Sequence, residues 1–290
     1  MALSTDIYGG IDGTGPTSNA QYAAEFKNSF VNRLYKNWHS PLKTYDRGPA
    51  WSGKTTAERS QSLARQISMN LKIFRYIKKP DPSVEPRIYL AGYSRGGAAV
   101  INTCHLLKNL GEKVHCLFLF DAVDRTITID DDHTIVPSNV RFCFHALRSP
   151  SSASREVFEN CGSGATGHRI GLGYKELTFK CTHGGMGGVG WTTAGADGFI
   201  REENLPDYSS GKYAVMKGLG MSGVADIYKV VTDSGLARTN VTLAMEKAGS
   251  ASVWRWMTKN LQYARVQGQN KLDEQLAARR GLSAGNTLPH

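Results

Sequence analysis

The sequence has no run of about 18 consecutive apolar residues, which excludes a membrane-spanning helix of ordinary length. Its first residues, Met1-Ala2-Leu3-Ser4-Thr5-Asp6, carry neither a basic segment nor an apolar stretch. No secretory leader is therefore expected: the chain is expected to be made in the cytoplasm, with signal-independent export left open. Cysteine is scarce and unpatterned. Cys104, Cys116, Cys143, Cys161 and Cys181 are odd in number, irregular in spacing and without a CxxC pair. That argues against a disulfide framework and for folding in a reducing compartment. Internal repeats, low-complexity tracts, zinc-finger spacings and RNA-binding motifs are also missing.

Apolar content, at 40% of 290 residues, suffices for a sizeable core and excludes disorder as the main state. The length allows one large domain or two small ones. Lys and Arg total 35 against 25 Asp and Glu, a formal net charge of +10. The basic residues are dispersed, so no nucleic-acid partner is expected. An anionic membrane surface and a plain solvated basic surface both remain open.

Apolar periodicity places the elements. Asp6 to Ile11 reads as a strand that ends in Asp12-Gly13-Thr14-Gly15-Pro16. A helix is expected over Asn19 to Trp38, a short strand over Leu42 to Tyr45, and a long amphipathic helix over Thr55 to Lys79. Arg87 to Ala91 is a strand and Arg95 to Leu110 a helix capped near Gly111. Val114 to Phe120 has the continuous apolar character of a central parallel strand. Val140 to His145 and Glu176 to Cys181 are further strands. Residues 151–173, rich in Ser and Gly, read as a loop, residues 205–250 as weakly helical, and Ala251 to Arg280 as a helix. Strands alternating with helices predict an α/β fold with a mostly parallel sheet flanked by helices. We expect a catalytic core over 1–200 and a mostly helical extension over 201–290 that packs on the same domain or beside it.

Gly92-Tyr93-Ser94-Arg95-Gly96-Gly97 fits GxSxG directly between a strand and a helix, the context in which a nucleophilic serine is presented. Small flanking residues are needed because a side chain at Gly92 or Gly96 would strike backbone in so sharp a turn. The Arg95 N–H would face a developing oxyanion, and the backbone of Gly13 and Thr14 is the natural second donor. Asp12 could instead brace that loop by accepting backbone hydrogen bonds. A serine needs a base held by a third group. His183 follows a strand and opens the glycine-rich run His183-Gly184-Gly185-Met186-Gly187-Gly188. Asp121 ends the apolar strand beside that of Ser94, and Asp124 is its rival one turn on. The order Ser94, Asp121, His183 is that of α/β-hydrolases. No cofactor or metal is required.

These segments, Ile11-Asp12-Gly13-Thr14-Gly15, the Ser94 elbow, Phe120-Asp121-Ala122-Val123 and the His183 run, resemble an α/β-hydrolase family that includes the lipase effectors of type VI secretion systems. The pattern of that family is FDGTG, GFSRGA, a strand ending in WDTV, and HxDVGGG, and the four segments span residues 11 to 188. The resemblance implies an α/β-hydrolase-like fold and ester hydrolysis, with phospholipid as substrate. It maps the nucleophile to Ser94, the acid to Asp121 and the base to His183. It also implies an immunity or secretion-apparatus protein as partner. Gly185 stands where the family carries Asp, and Ala122 where it carries Thr.

Two other readings compete. Gly48-Pro49-Ala50-Trp51-Ser52-Gly53-Lys54-Thr55 matches the phosphate-binding GxxxxGK[ST] pattern, with a helix after it. The strand before it is short and mostly polar, and Pro49 and Trp51 sit where backbone N–H groups should close around phosphate. The second alternative is a non-catalytic interaction module on a hydrolase scaffold. Weaker signals are Cys143-Phe144-His145 and Cys181-Thr182-His183 as zinc ligands, Asp130-Asp131-Asp132-His133 as a calcium turn, and Trp254-Arg255-Trp256-Met257 as a lipid-facing or core helix face.

Overall fold

In a computed structural model the described residues are 6–49, 55–77, 86–123, 134–155, 160–165, 173–189, 194–203 and 236–279. In chain order the elements that build the site are β1 (Asp6–Ile11), α1 (Asn19–Glu25), α2 (Phe30–Lys36), β2 (Lys43–Asp46), α3 (Thr56–Ile77), β3 (Arg87–Tyr93), α4 (Arg95–Asn109) and β4 (Val114–Phe120). They continue with β5 (Ile135–Val136), β6 (Val140–Arg148), β7 (Gly164–Ala165), β8 (Tyr174–Phe179), α5 (His183–Gly187), β9 (Phe199–Glu203), β10 (Leu236–Thr242) and α6 (Leu243–Arg279).

The main sheet has six strands in the order β2-β1-β3-β4-β6-β8, every pairing parallel. Alternation along the strands divides its side chains between two cores. Tyr89, Ala91 and Tyr93 of β3 and Cys116, Phe118 and Phe120 of β4 meet α2, α5 and α6 on one face. Ile88, Leu90, Leu117 and Leu119 meet α3 and α4 on the other. With both faces covered, β4 is buried along its whole length.

The sequence pattern and the structure differ at several boundaries. The single helix expected over Asn19 to Trp38 is two, because the Ser29 side chain caps α2 at Asn32 N–H (3.2 Å) and its hydroxyl donates to Asp12. β6 runs on to Arg148, since pairing with β8 continues from Cys143–Tyr174 to Arg148–Phe179. The same register moves the last sheet strand to Tyr174–Phe179, ahead of the expected Glu176 to Cys181, and frees Thr182 to cap α5. In the loop expected over 151–173, residues 150–152 form a 3-10 turn and Gly164–Ala165 pairs with β5. The last helix begins at Leu243 rather than Ala251, with the Thr242 hydroxyl accepting from Met245 N–H at 3.3 Å. Leu236–Thr242, within the stretch read as weakly helical, pairs antiparallel with β9. Residues 205–235 of that stretch lie outside the described residues. No helix among the described residues is long and apolar enough to cross a membrane.

Candidate active site

Ser94 joins β3 to α4 at φ +56°, a left-handed value that a serine adopts only when its surroundings enforce it. The enforcement is local. Ser94 N–H donates to Phe120 C=O (3.1 Å), and its own C=O accepts from Gly97 (2.8 Å) and Val123 (3.2 Å). A Cβ on Gly92 would come within 2.5 Å of Gly96 O, and one on Gly96 would overlap Asp12 O. Only glycine fits at either flank of the turn.

The structure brings the three sequence-predicted residues together. Ser94 Oγ donates to His183 Nε2 at 2.9 Å, and His183 Nδ1–H donates to Asp121 Oδ2 at 2.6 Å. Asp121 is fully buried and Ser94 and His183 are nearly so, at 6% exposure. Asp121 also has a left-handed backbone, φ +46°. Its Oδ1 accepts from Asn160 Nδ2 (2.9 Å) and Arg148 N–H (3.2 Å), and its Oδ2 from Arg148 Nη1 (2.6 Å). Burial raises the Asp121 carboxyl, but the Arg148 charge and His183 outweigh it and hold the group well below the usual carboxylate range. Burial lowers His183, against the pull of Asp121, so the imidazole rests neutral. Asp124 lies outside the described residues.

His183 sits at the first position of α5 rather than on an open loop, and buried carboxylates secure it from two sides. Glu246, in the first turn of α6, accepts from Thr182 N–H (2.7 Å) and the Thr182 hydroxyl (2.6 Å). Glu202 of β9 accepts from the Ser154 hydroxyl (2.9 Å), and Ser154 Oγ in turn accepts from His183 N–H (2.8 Å). A Cβ on Gly185 would lie 2.5 Å from Glu246 Oε1. The glycine that departs from the family pattern thus leaves room for a carboxylate delivered by α6. The Tyr93 hydroxyl donates to His183 C=O at 2.9 Å.

The Asp12-Gly13-Thr14 turn lies against the serine, since a Cβ on Gly13 would be 3.3 Å from Ser94 Cβ. Here the expectation needs correcting. The Gly13 N–H donates to Asp12 Oδ1 at 3.0 Å, because a short aspartate satisfies the amide next to it, and so it is not free for an oxyanion. The Thr14 hydroxyl is buried without a hydrogen-bond partner among the described residues, which leaves it able to donate. Arg95 opens α4, with its amide directly after Ser94 at the helix N-terminus. Asp12 is buried with no cation beside it among the described residues. It accepts from the Ser29 hydroxyl and from the Tyr45 hydroxyl (2.9 Å), and burial pushes its carboxyl up to about 7.

The competing sites fall partly outside the described residues. β2, before the phosphate-loop match, is an edge strand, and the Gly48 N–H is taken by the Tyr22 hydroxyl at 2.8 Å. Residues 50–54, Lys54 among them, lie outside the described residues, as do residues 124–133 with the acidic turn. His145 spends both ring nitrogens on backbone groups, Ala122 N–H at 3.2 Å and Gly162 C=O at 3.3 Å, and burial lowers it to about 4. No cluster of three metal-ligating side chains occurs among the described residues. The Trp254–Met257 stretch divides. Trp256 packs edge-on against Phe144 and Phe179, whereas Trp254, Phe30, Arg33 and Arg255 line a groove of about 540 Å³ between α2 and α6.

Sequence reading missed Arg148, Asn160, Ser154, Glu202 and Glu246. The one signal available was a charged residue, Arg148, closing the mostly apolar run Phe142 to Leu147, which His145 interrupts.

Fold and elbow together are those of an α/β-hydrolase-like protein. Comparison with known protein families finds no match, and no curated protein is detectably similar in sequence. Among solved structures, the chain is similar to an uncharacterized protein from Pseudomonas aeruginosa at 14% identity and a TM-score of 0.39, over 63% of this chain and 41% of that one. It thus spans less than half the length of that protein. It is similar to the RedJ thioesterase of the prodiginine biosynthetic pathway in Streptomyces coelicolor at 12% identity and a TM-score of 0.32, over 76% and 87% of the two chains. A cutinase-like protein from Cryptococcus sp. matches at 19% identity and a TM-score of 0.25, over 47% and 63%. Likeness at this level carries no argument about activity, which rests on the geometry of the site.

Proposed function

We propose that this protein is a serine hydrolase of acyl esters. The observation that carries the reading is the pair of hydrogen bonds from Ser94 through His183 to Asp121, built on a serine held at φ +56°. Ser94 Oγ attacks the ester carbonyl while His183 Nε2 takes its proton. The tetrahedral oxyanion is met by the Arg95 amide and the Thr14 hydroxyl. His183 returns the proton to the departing alcohol, and the acyl group stays on Ser94. Water then repeats the sequence, with His183 again the base, and releases the acid. Asp121 keeps the proton on Nδ1, so that Nε2 faces the serine.

The finer reading is a phospholipase of the type VI secretion effector kind. It is supported by the four motifs, by the net charge of +10 and by Arg33 and Arg255 beside Trp254 in the α2–α6 groove. On that reading an anionic membrane surface and an immunity or secretion-apparatus protein are its partners. The test is hydrolysis of short p-nitrophenyl esters and of phospholipid vesicles by wild type and Ser94→Ala. Loss of both activities in the variant supports the hydrolase, and a rate on vesicles well above that on soluble esters supports lipid as the substrate. Activity untouched by Ser94→Ala would overturn the reading.

A further inference from the structure

The carboxylate that would stabilise an imidazolium on His183 already carries a cation. Arg148 ends β6, one strand over from Asp121, and both stand at the C-terminal edge of the sheet, where Asp121 N–H donates to Ala146 C=O (2.7 Å). The guanidinium reaches Asp121 Oδ2 at 2.6 Å, the same oxygen that accepts His183 Nδ1–H at 2.6 Å. Its other nitrogens are fixed by two carbonyls, Nε by Ser154 (2.9 Å) and Nη2 by Arg155 (3.1 Å). The two side chains of the ion pair are 8% and 0% exposed. A guanidinium does not deprotonate in a protein, so this charge is permanent.

We propose that Arg148 sets the proton affinity of His183, acting as a positioning residue that keeps the imidazole neutral in mildly acidic solution. The inference rests on the serine-hydrolase reading of the same site. Its physical basis is charge balance. With Arg148 in place, Asp121 is compensated before His183 takes up a proton, so protonation would leave two positive charges on one buried carboxylate. Other groups face His183 from each element around it. Asp121 follows β4, Tyr93 and Ser94 lie at the elbow, and Arg155 follows Ser154. Glu202 stands behind Ser154 and Glu246 behind Thr182. Among the hydrogen bonds described above, Arg148 alone shares with His183 a single carboxylate oxygen. Burial, Arg148 and Arg155 all lower His183 against the opposing pull of Asp121.

The test is the pH profile of kcat/KM on a short ester, with the rate of Ser94 labelling by a fluorophosphonate, in wild type, Arg148→Gln and Arg148→Lys. The wild-type acid limb is expected below the ordinary histidine value of about 6.5. Arg148→Gln should move it up by about one pH unit, so that activity at pH 5.5, with each protein taken relative to its own plateau, is several-fold lower than in the wild type. Arg148→Lys keeps the charge and should keep the limb. A Gln variant whose whole profile drops while the limb stays in place would overturn the proposal, because a merely structural role lowers the plateau without moving the limb. Where Arg148→Gln fails to fold, Arg148→Met, uncharged and similar in length, is compared with the wild type by NMR titration of the His183 imidazole. A midpoint about one pH unit above that of the wild type supports the proposal, and an unchanged midpoint overturns it. Absence of ester hydrolysis and of Ser94 labelling at every pH would instead refute the hydrolase reading itself.

Discussion

At the scale of single residues the site is an arrangement of buried charge. Asp121 has its negative charge matched by Arg148, whereas Asp12, equally buried, has only neutral donors among the described residues. The two carboxyls therefore move in opposite directions, and the difference is measurable. The Asp12 carboxyl sits at about 7 in the folded chain against 3.8 ordinarily. Between those values the folded state holds a proton that the unfolded state has lost, so the contribution of Asp12 to stability is lost as pH rises through that window. Asp12→Asn does not titrate. Its stability relative to wild type should rise from pH 5 to pH 8, by on the order of a few kcal/mol, as read from denaturant unfolding at each pH. A difference that stayed constant with pH would contradict this assignment. In the proposed reaction, His183→Ala and Asp121→Asn should each lower kcat on a short ester by roughly 10³–10⁴-fold. A loss of only a few-fold would remove either residue from the mechanism. Ser94, Asp121 and His183 could be picked out in the sequence because each follows a strand within a short motif. Arg148 was not, since an arginine at a strand end looks the same whether it meets solvent or a carboxylate 27 positions away.

At the scale of elements, α5 is one short turn whose position depends on its neighbours. Glu246 accepts from both Thr182 donors, and its carboxylate fills the space over Gly185. Glu246→Ala should remove that anchor, costing about 1–2 kcal/mol of stability and lowering kcat by about tenfold or more through misplacement of His183. Gly185→Ala should do similar harm by displacing the same carboxylate. The two losses should not add, because the three atoms nearest the new methyl group all belong to Glu246 and are gone in Glu246→Ala. Melting temperature and esterase rate across this double-mutant cycle are the check, and additive losses would contradict the contact. The boundaries that periodicity misplaced share a physical cause. The α1–α2 break is set by a polar cap, and the extent of β6 and the start of β8 by ladder register, which pairs residues distant in sequence. Apolar spacing alone does not encode them.

At the scale of the whole molecule, α6 crosses the sheet from its C-terminal edge to its N-terminal edge. Glu246 is beside α5, Met257 and Leu261 are in the core, and Ala264 C=O bonds His115 Nε2 at 2.8 Å. Its buried side chains belong to the same cluster as Phe118 and Phe144 of β4 and β6. Thermal or denaturant unfolding followed by tryptophan fluorescence and by circular dichroism should therefore give one coincident transition. Met257→Ala should shift that transition as a whole, by about 2–4 kcal/mol. Two separated transitions would mean that the helix folds apart from the sheet. The parallel α/β architecture was legible from the alternation of strands and helices. The reach of the last helix back to the histidine turn was not, because its apolar residues specify a buried face without naming the surface that covers it.

The central claim is that Ser94 is an activated nucleophile. The most direct measurement is intact-mass analysis after a fluorophosphonate probe, with peptide mapping, on wild type, Ser94→Ala and His183→Ala. The account predicts one adduct on Ser94 in the wild type, none in Ser94→Ala, and labelling slowed by orders of magnitude in His183→Ala. A wild type left unlabelled, or labelled elsewhere with Ser94 untouched, would contradict it.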